Sequence, residues 1–278
     1  MTILEFSIAL LFISYTAGLL GALTGLGGGM VLIPALVLLF HINIHYAMGA
    51  SLISVIATSS GSAAAFLRGG YTNLRIGIFL ETGAVIGAIC GAFLTAIVPI
   101  SALALIFGIV MLFSAFLTIR RQEEQETDRP SHPWAVALRM EGTHPTKNGP
   151  QPYRVHHAPL ALGLMTTAGA LSGLLGIGSG TVKVLAMDQA MRLPYKVSTS
   201  TSNFLIGITA ATSTGIYFKH GYIEPGLTFP VLLGVLAGSL TGARILAIIK
   251  NRTLRIIFSV VIAGLAAQMI YKGLTGGL

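Results

Sequence analysis

Two glycine-rich interruptions, one in each half of the chain, have the residue types and the setting for binding an anion. The first break, Gly25-Leu26-Gly27-Gly28-Gly29, and the second break, Gly176-Ile177-Gly178-Ser179-Gly180, each interrupt a long apolar run. Lipid cannot satisfy the backbone groups of an interrupted helix, and a glycine turn ahead of a helix presents free N–H groups at its positive end. We expect an anion to bind there; tight packing of the glycines is the alternative. The backbone candidates are Gly27, Gly28, Gly29, Gly178, Ser179 and Gly180.

Lys183, three positions after Gly180, is the sharpest single candidate for contacting an anion. It stands inside an apolar segment, where an ammonium group is costly and demands an anionic partner, water or carbonyl groups. We expect it to face the bound anion. A structural ion pair with Asp188, five residues further on, and a position at the membrane interface are the alternatives.

Two segments, about 46–67 and about 195–218, are rich in hydroxyl side chains that can donate hydrogen bonds to an oxyanion. Serine and threonine also bond back to their own helix, so many of these hydroxyls carry no function. The amide of Asn203 does not readily bond back to its own helix in this way, so we expect it to pair with a group on a neighbouring helix. We expect Ser51, Ser200 and Asn203 to be the polar ligands of a small oxyanion.

Two acidic residues in apolar segments, Glu81 and Asp188, are candidates for carrying a proton. Glu81 has an apolar counterpart, Leu232, in the second half; a salt bridge from Glu81 to Arg75 is the alternative. The chain has no combination of nucleophile and base that supports catalysis, and its histidines fit no defined ligand spacing. The sequence therefore predicts no enzyme activity, no cofactor and no metal site.

The composition is that of a membrane protein that crosses the bilayer several times. Of 278 residues, 54% are hydrophobic and only 9% are charged, and the mean hydropathy is +0.81. A soluble protein of this length needs far more charge to cover its surface. The net charge of +8 comes from bases concentrated in a few short loops, so we attribute it to topology and expect no nucleic-acid partner. The single cysteine, Cys90, excludes an intramolecular disulfide.

Ten hydrophobic segments fall into two sets of five. They are predicted at about 4–24, 28–40, 46–67, 76–97 and 101–119, and at about 158–175, 179–191, 195–218, 226–249 and 254–274. The second and seventh segments, at about 20 Å, are too short to cross a hydrocarbon core of about 30 Å unaided. We expect them to be half-helices or re-entrant elements.

The two halves resemble each other at an offset near 151 residues. Glycines spaced every four residues recur, at 83, 87 and 91 and again at 234, 238 and 242, which predicts close helix contact. A small slip in the offset would align Tyr46 with Tyr195 and Ser51 with Ser200. The sequence therefore predicts a first membrane repeat at 1–120, a linker at 121–157 and a second membrane repeat at 158–278.

The distribution of lysine and arginine predicts the topology. With the N-terminus outside and all ten segments crossing, thirteen of the 17 basic residues lie inside and two lie outside. Five crossings per half make the second repeat enter the membrane inverted, as in alternating-access carriers. The linker is then cytoplasmic, and we expect it to be partly mobile, with a short amphipathic helix near 134–140.

At this point the motifs resemble those of a known family. Residues 21–34, GALTGLGGGMVLIP, look like the first signature of the TauE/SafE sulfite exporters, also called the TSUP family or DUF81-like permeases. Residues 176–184, GIGSGTVKV, with 196–204, KVSTSTSNF, are similar to the second signature. The resemblance spans nearly all of the membrane portion and leaves out the linker. The second signature has Ser179 where the first has Gly28, and Leu185 where the first has Pro34. The parts of the site that the two signatures contribute are therefore chemically unequal.

The resemblance implies an all-α transporter of the plasma membrane. It implies export of sulfite, organosulfonates or other small sulfur-containing anions, with proton coupling often proposed for the family. The residues themselves give the same physics for a carboxylate or a halide, and an anion channel is the alternative to a carrier. The sequence leaves the substrate, the direction, the coupling ion and the oligomeric state open.

Overall fold

A computed structural model describes residues 3–24, 27–68, 70–119, 131–146, 149–245 and 251–276. Gly25 and Leu26 of the first break and residues 120–130 of the linker lie outside the described residues. The described chain is mostly helical. Its α-helices are α1 Ile3–Thr24, α2 Gly29–Leu39, α3 Ile44–Arg68, α4 Leu74–Leu94, α5 Ile100–Ile119, α6 Pro133–Ala137, α7 Ala158–Leu175, α8 Gly180–Leu185, α9 Tyr195–Lys219, α10 Pro225–Ile245 and α11 Asn251–Thr275.

The elements that follow the two breaks are short, as the apolar runs predict. Helix α2 has 11 residues, and α8 continues directly into a π-helical segment, Ala186–Ala190. Each element rises about 16 Å, roughly half of a hydrocarbon core. Four described helices, α1, α4, α7 and α10, are long and apolar enough to span a membrane.

These four helices form two parallel pairs, and each pair joins the first half of the chain to the second. From the N-terminal to the C-terminal end of α4, Gly83, Gly87 and Gly91 approach successive turns of α7. Going up α10, its three glycines approach successive turns of α1 in the same way. A Cβ on Gly87 or Gly238 would overlap a backbone carbonyl of the facing helix. The prediction of close helix contact at these glycines is therefore confirmed.

Helices α3 and α9 correspond without the predicted slip. Each has 25 residues, and both ends of α9 lie 151 residues after the corresponding ends of α3. The uninterrupted helices leave no place for a shift in register, so the slip that aligned Ser51 with Ser200 is wrong. At the constant offset, Ser51 corresponds to Ser202.

The linker contains a folded unit that the all-α prediction lacks. Strands β1, Gly142–Thr146, and β2, Gly149–Tyr153, form an antiparallel hairpin after the short helix α6. Thr146 pairs with Gly149 at the turn end of the hairpin, and Gly142 pairs with Tyr153 at the other end. Buried Met140 and Val155 pack this unit into a cluster with Met187 and Met191, beside the π-helical segment.

Asn73 joins the linker unit to the start of α4. Its side-chain oxygen caps the helix by accepting from the backbone N–H groups of Arg75 and Ile76, both at 3.1 Å. Its amide nitrogen donates to the carbonyl of Met140 at 2.8 Å and to the hydroxyl of Tyr153 at 2.7 Å. Burial raises the pKa of the Tyr153 hydroxyl, and the Asn73 hydrogen bond partly opposes that shift. The hairpin is therefore held against the helix ends through protonated Tyr153.

Candidate functional site

The two glycine breaks meet inside the helical bundle. A Cβ built on Gly29 would lie 3.4 Å from the Cα of Ile177, and one on Gly27 would lie 3.9 Å from the carbonyl oxygen of Ile177. Gly27 has φ +81° and Gly178 has φ +75°, a backbone region that favours glycine. The glycines are thus needed both for the turns and for the close approach of the two turns.

Apolar side chains from α3 and α9 close over the meeting point. Val55 and Ile206, which correspond at the offset of 151, both face Gly178; a Cβ there would lie 2.9 Å and 2.6 Å from them. Val55 is fully buried and Ile206 is 2% exposed. Val55 and Ile206 therefore pack directly against Gly178 where the two breaks meet.

Hydroxyl groups lie one helical turn away from this apolar contact. Ser51 donates to the carbonyl of Gly176 at 2.7 Å, and Ser202 donates to the carbonyl of Gly180 at 3.2 Å. Ser59 donates to the carbonyl of Asn203 at 2.5 Å and accepts from the N–H of Gly207 at 3.1 Å. Serines on α3 and α9 thus satisfy backbone groups of the second break and of the central helices.

Two buried polar groups at the second break have no partner among the described residues. They are the hydroxyl of Ser179, which is fully buried, and the amide nitrogen of Asn203, whose residue is 5% exposed. Ser179 stands directly before α8 in the left-handed region, at φ 48°. A buried donor without a partner costs about 1–3 kcal/mol, so such groups call for an explanation. Donation to a bound anion supplies one.

The strongest electrostatic feature is a buried ion pair between Lys183 of α8 and Glu81 of α4. The Lys183 Nζ lies 3.4 Å from Glu81 Oε2; the lysine side chain is 0% exposed and the glutamate side chain 7%. Lys183 Nζ also donates to the carbonyl of Leu205 at 3.3 Å and to the hydroxyl of Thr209. Thr209 in turn donates to Glu81 Oε1 at 2.5 Å. All three ammonium protons are therefore used within the protein.

These contacts change several of the predicted pairings. The partner of Lys183 is Glu81, and the structural alternative that paired Lys183 with Asp188 is wrong. Glu81 is not bridged by Arg75, whose Nη1 donates to the carbonyl of Arg139 at 2.9 Å. Asp188 lies half-buried on the π-helical segment. These partners are set by the packing of helices that are distant in sequence. Spacing along the chain does not indicate which helices pack together.

Ser200 lies away from the breaks. Its hydroxyl forms a 2.6 Å hydrogen bond with the hydroxyl of Thr72, in the loop between α3 and α4. The structure brings together the two breaks and Ser51, with Lys183 one turn further along α8; Asn203 follows Ser202, whose hydroxyl donates to the carbonyl of Gly180. It does not bring Ser200 to them; Ser202 stands at the position that Ser200 was expected to fill.

Sequence reasoning missed the roles of Thr209 and Ser202, and one available signal pointed to the ion pair. At the offset of 151, Lys183 corresponds to Leu32, and Glu81 corresponds to Leu232. Each half thus has one charged residue where the other half has a leucine, and the two charges are of opposite sign. Two differences of opposite charge between the repeats predict that the two charged side chains contact each other.

Comparisons with known proteins place the chain among membrane transporters. The family model described as "Sulfite exporter TauE/SafE" matches residues 10–269, nearly the whole chain. No solved structure matches the chain.

Curated relatives are similar along their full length. "Probable membrane transporter protein YunE" of Bacillus subtilis is 24% identical over 275 residues, which cover 96% of this chain and 98% of the relative. "Probable membrane transporter protein YdhB" of the same organism is 28% identical over 263 residues, covering 92% and 98%. An archaeal relative, "Probable membrane transporter protein MJ0441" of Methanocaldococcus jannaschii, is 23% identical over 277 residues, covering 94% of each chain.

Proposed function

The chain belongs to the sulfite exporter TauE/SafE family, and from this membership we propose that it exports small sulfur-containing anions, such as sulfite or organosulfonates, by alternating access. It is a multi-pass membrane transporter and not an enzyme. The observation that carries the proposal is the meeting of the two breaks beside a buried lysine. Interrupted helices that meet deep in a bundle are the usual setting of a transporter's substrate site.

The proposed anion site lies between the breaks on the side of α8. Gly27, Gly28, Gly29, Gly178 and Gly180 line the turns, and Lys183 supplies positive charge. The unpartnered groups of Ser179 and Asn203 support the proposal, because a buried donor gains most from an acceptor that arrives as a ligand. Ser51 lies beside both breaks and adds a hydroxyl. Opening of the contact between Val55 and Ile206 would admit the anion.

The proposed transport cycle rests on two inverted repeats. The constant offset between α3 and α9, and the two parallel helix pairs that join the halves, support this arrangement. The charge distribution supports an N-terminus outside and a cytoplasmic linker in the plasma membrane. Helices α1, α2, α3 and α10 would form one unit, and helices α4, α7, α8 and α9 the other. Rocking of the two units against each other would expose the breaks to each side of the membrane in turn.

Coupling to protons is part of the proposal, with Glu81 as the residue that carries the proton. Its carboxylate is buried and touches the lysine that is proposed to attract the anion. Asp188, half-buried on the π-helical segment, is the second candidate. An anion channel, or a carrier for another small anion such as a carboxylate or a halide, is the alternative function.

A thermal-shift screen of the purified protein tests the substrate class. We expect sulfite and small sulfonates to raise the midpoint of unfolding, because a ligand that binds only the native state stabilises it. Saturation at 100 times Kd contributes about 2.7 kcal/mol. Stabilisation by carboxylates or halides alone would contradict the proposed substrate class.

The variant Asn203→Leu separates binding from folding in the same screen. Leucine stands at the corresponding position of the first half, Leu52, and the Asn203 amide nitrogen has no hydrogen-bond partner among the described residues to lose. We expect an unfolding midpoint at or above that of the wild type, and a loss of roughly tenfold in anion affinity, the equivalent of about 1.4 kcal/mol. An unchanged affinity would remove Asn203 from the site.

A further inference from the structure

We infer that the transported anion carries one negative charge, and that it binds Lys183 in exchange for Glu81, which takes up one proton. This inference rests on the proposed transport of small sulfur anions and specifies the charge of the substrate and the stoichiometry of coupling. Proton and anion cross together, so export takes one proton out with each anion and is driven by the outward gradient of the substrate. The ion pair, the full use of the lysine donors and the leucines at both corresponding positions of the repeat carry it.

Lys183 has no donor left for a substrate in the described conformation. An ammonium group has three protons, and Lys183 directs them to Glu81, Thr209 and the carbonyl of Leu205. An incoming anion must therefore displace one of these acceptors. Glu81 is the acceptor that most resembles a substrate, since it is the one with a negative charge and a pair of oxygen atoms.

Displacement of Glu81 requires a proton. A carboxylate that has lost its cation in a buried site is strongly destabilised, whereas the protonated carboxyl is neutral. Thr209, whose hydroxyl contacts both Lys183 and Glu81, can then accept the new O–H of Glu81. The charge balances: the resting site holds one positive and one negative charge, and the loaded site holds Lys183, the anion and a neutral Glu81.

The groups around Glu81 leave it no second charged partner. Lys183 is the charged group that acts on it among the described residues. Helix α7, packed against α4, has no ionisable side chain in its sequence. Asp188 follows Lys183 by more than one helical turn, and Arg75 is held by the carbonyl of Arg139. On α9, Lys196 and Lys219 stand in the first and last turns of the helix.

The same charge balance selects a monoanion. A dianion at Lys183 leaves one negative charge uncompensated, even when Glu81 is protonated. The corresponding positions, Leu32 in the first repeat and Leu232 in the second, are apolar and offer no second cation. We therefore expect roughly 100-fold discrimination in favour of a sulfonate or hydrogensulfite ion over sulfate.

Fluxes of methanesulfonate and sulfate into proteoliposomes test the inference, since both ions have tetrahedral sulfur but differ in charge. We expect wild-type protein to accumulate methanesulfonate inside the vesicles when the outside is more acidic than the inside. The rate of this uptake should not respond to a potassium diffusion potential. Sulfate flux should be about 100-fold lower. Equal fluxes of the two ions, or methanesulfonate flux driven by the potential and not by the pH gradient, would overturn the inference.

Glu81→Gln tests the exchange directly, with Glu224→Gln as the matched control on an exposed loop residue. We expect E81Q to lose pH-driven accumulation by at least tenfold and to gain a response to the potential, because its site is positive before the anion binds. E224Q should behave as the wild type. If E81Q retains pH-driven accumulation, the inference is overturned but the proposed function is not. If E81Q does not fold, the comparison of methanesulfonate and sulfate fluxes in the wild type decides. Absence of methanesulfonate, sulfite and sulfate flux in the wild type overturns the proposed function and this inference together.

Discussion

A variant with leucine at both Glu81 and Lys183 should keep its fold and lose transport. It gives each position the residue found at the corresponding position of the other repeat, since Leu232 corresponds to Glu81 and Leu32 to Lys183. Replacement of a buried ion pair by apolar side chains is often neutral or stabilises a protein by about 1–4 kcal/mol. Loss of a buried cation that binds an anion costs about 2–5 kcal/mol, which predicts a transport rate lower by roughly 30-fold or more.

Each single variant provides the control for this experiment. Lys183→Leu or Glu81→Leu alone leaves the other charge buried without its partner, which costs about 3–5 kcal/mol unless that group becomes neutral. We therefore expect both single variants to unfold at lower temperature than the double variant. Thermal unfolding in detergent and sulfite flux in proteoliposomes are the two measurements. If the double variant transports at the wild-type rate, the ion pair has no part in the mechanism.

Gly178→Ala should strongly destabilise the protein where the breaks meet. Gly178 has φ +75°, which costs an L-residue about 1–2 kcal/mol. Its Cβ would also lie 2.6 Å from Ile206 and 2.9 Å from Val55, and both are β-branched side chains with little freedom to move. Overpacking adds about 1–3 kcal/mol, so the total destabilisation should be about 2–5 kcal/mol.

Gly221→Ala separates the two contributions. Gly221 has φ +74°, nearly the same conformation, but nothing lies within 4 Å of an added Cβ. The difference in unfolding midpoint between the two variants therefore measures the crowding where the breaks meet. We also expect Gly178→Ala to lose transport, because the second break can no longer close against α3 and α9. Equal stability of the two variants would mean that the breaks do not pack as described.

The helices could be predicted because each one is recorded locally as an apolar run. The predicted segment 158–175 coincides with α7, and the start of α8 at Gly180 follows from the glycine break. The family resemblance depended on the same local motifs. The hairpin between Gly142 and Tyr153 was not predicted, because its strands, GTHPT and GPQPY, contain three prolines and no alternating apolar pattern.

The partners of buried charges could not be predicted in the same way. Lys183 and Glu81 are 102 positions apart, whereas Asp188 is a near neighbour of Lys183 along the chain. Spacing favours the near residue, but the packing of α4 and α9 beside α8 decides the contact. The equivalence of Ser51 and Ser202 also needed the structure, because repeated Ser and Thr at 198–202 allow several alignments.

The central claim is that this protein is a carrier of small sulfur anions whose site lies at the two breaks. Accumulation of sulfite against its concentration gradient, in proteoliposomes that contain only the wild-type protein and an imposed pH gradient, tests it most directly. We predict that internal sulfite exceeds external sulfite while the pH gradient lasts and equilibrates when a protonophore is added. Flux that stops at equal concentrations would indicate a channel, and no flux of sulfite would contradict the assignment of substrate.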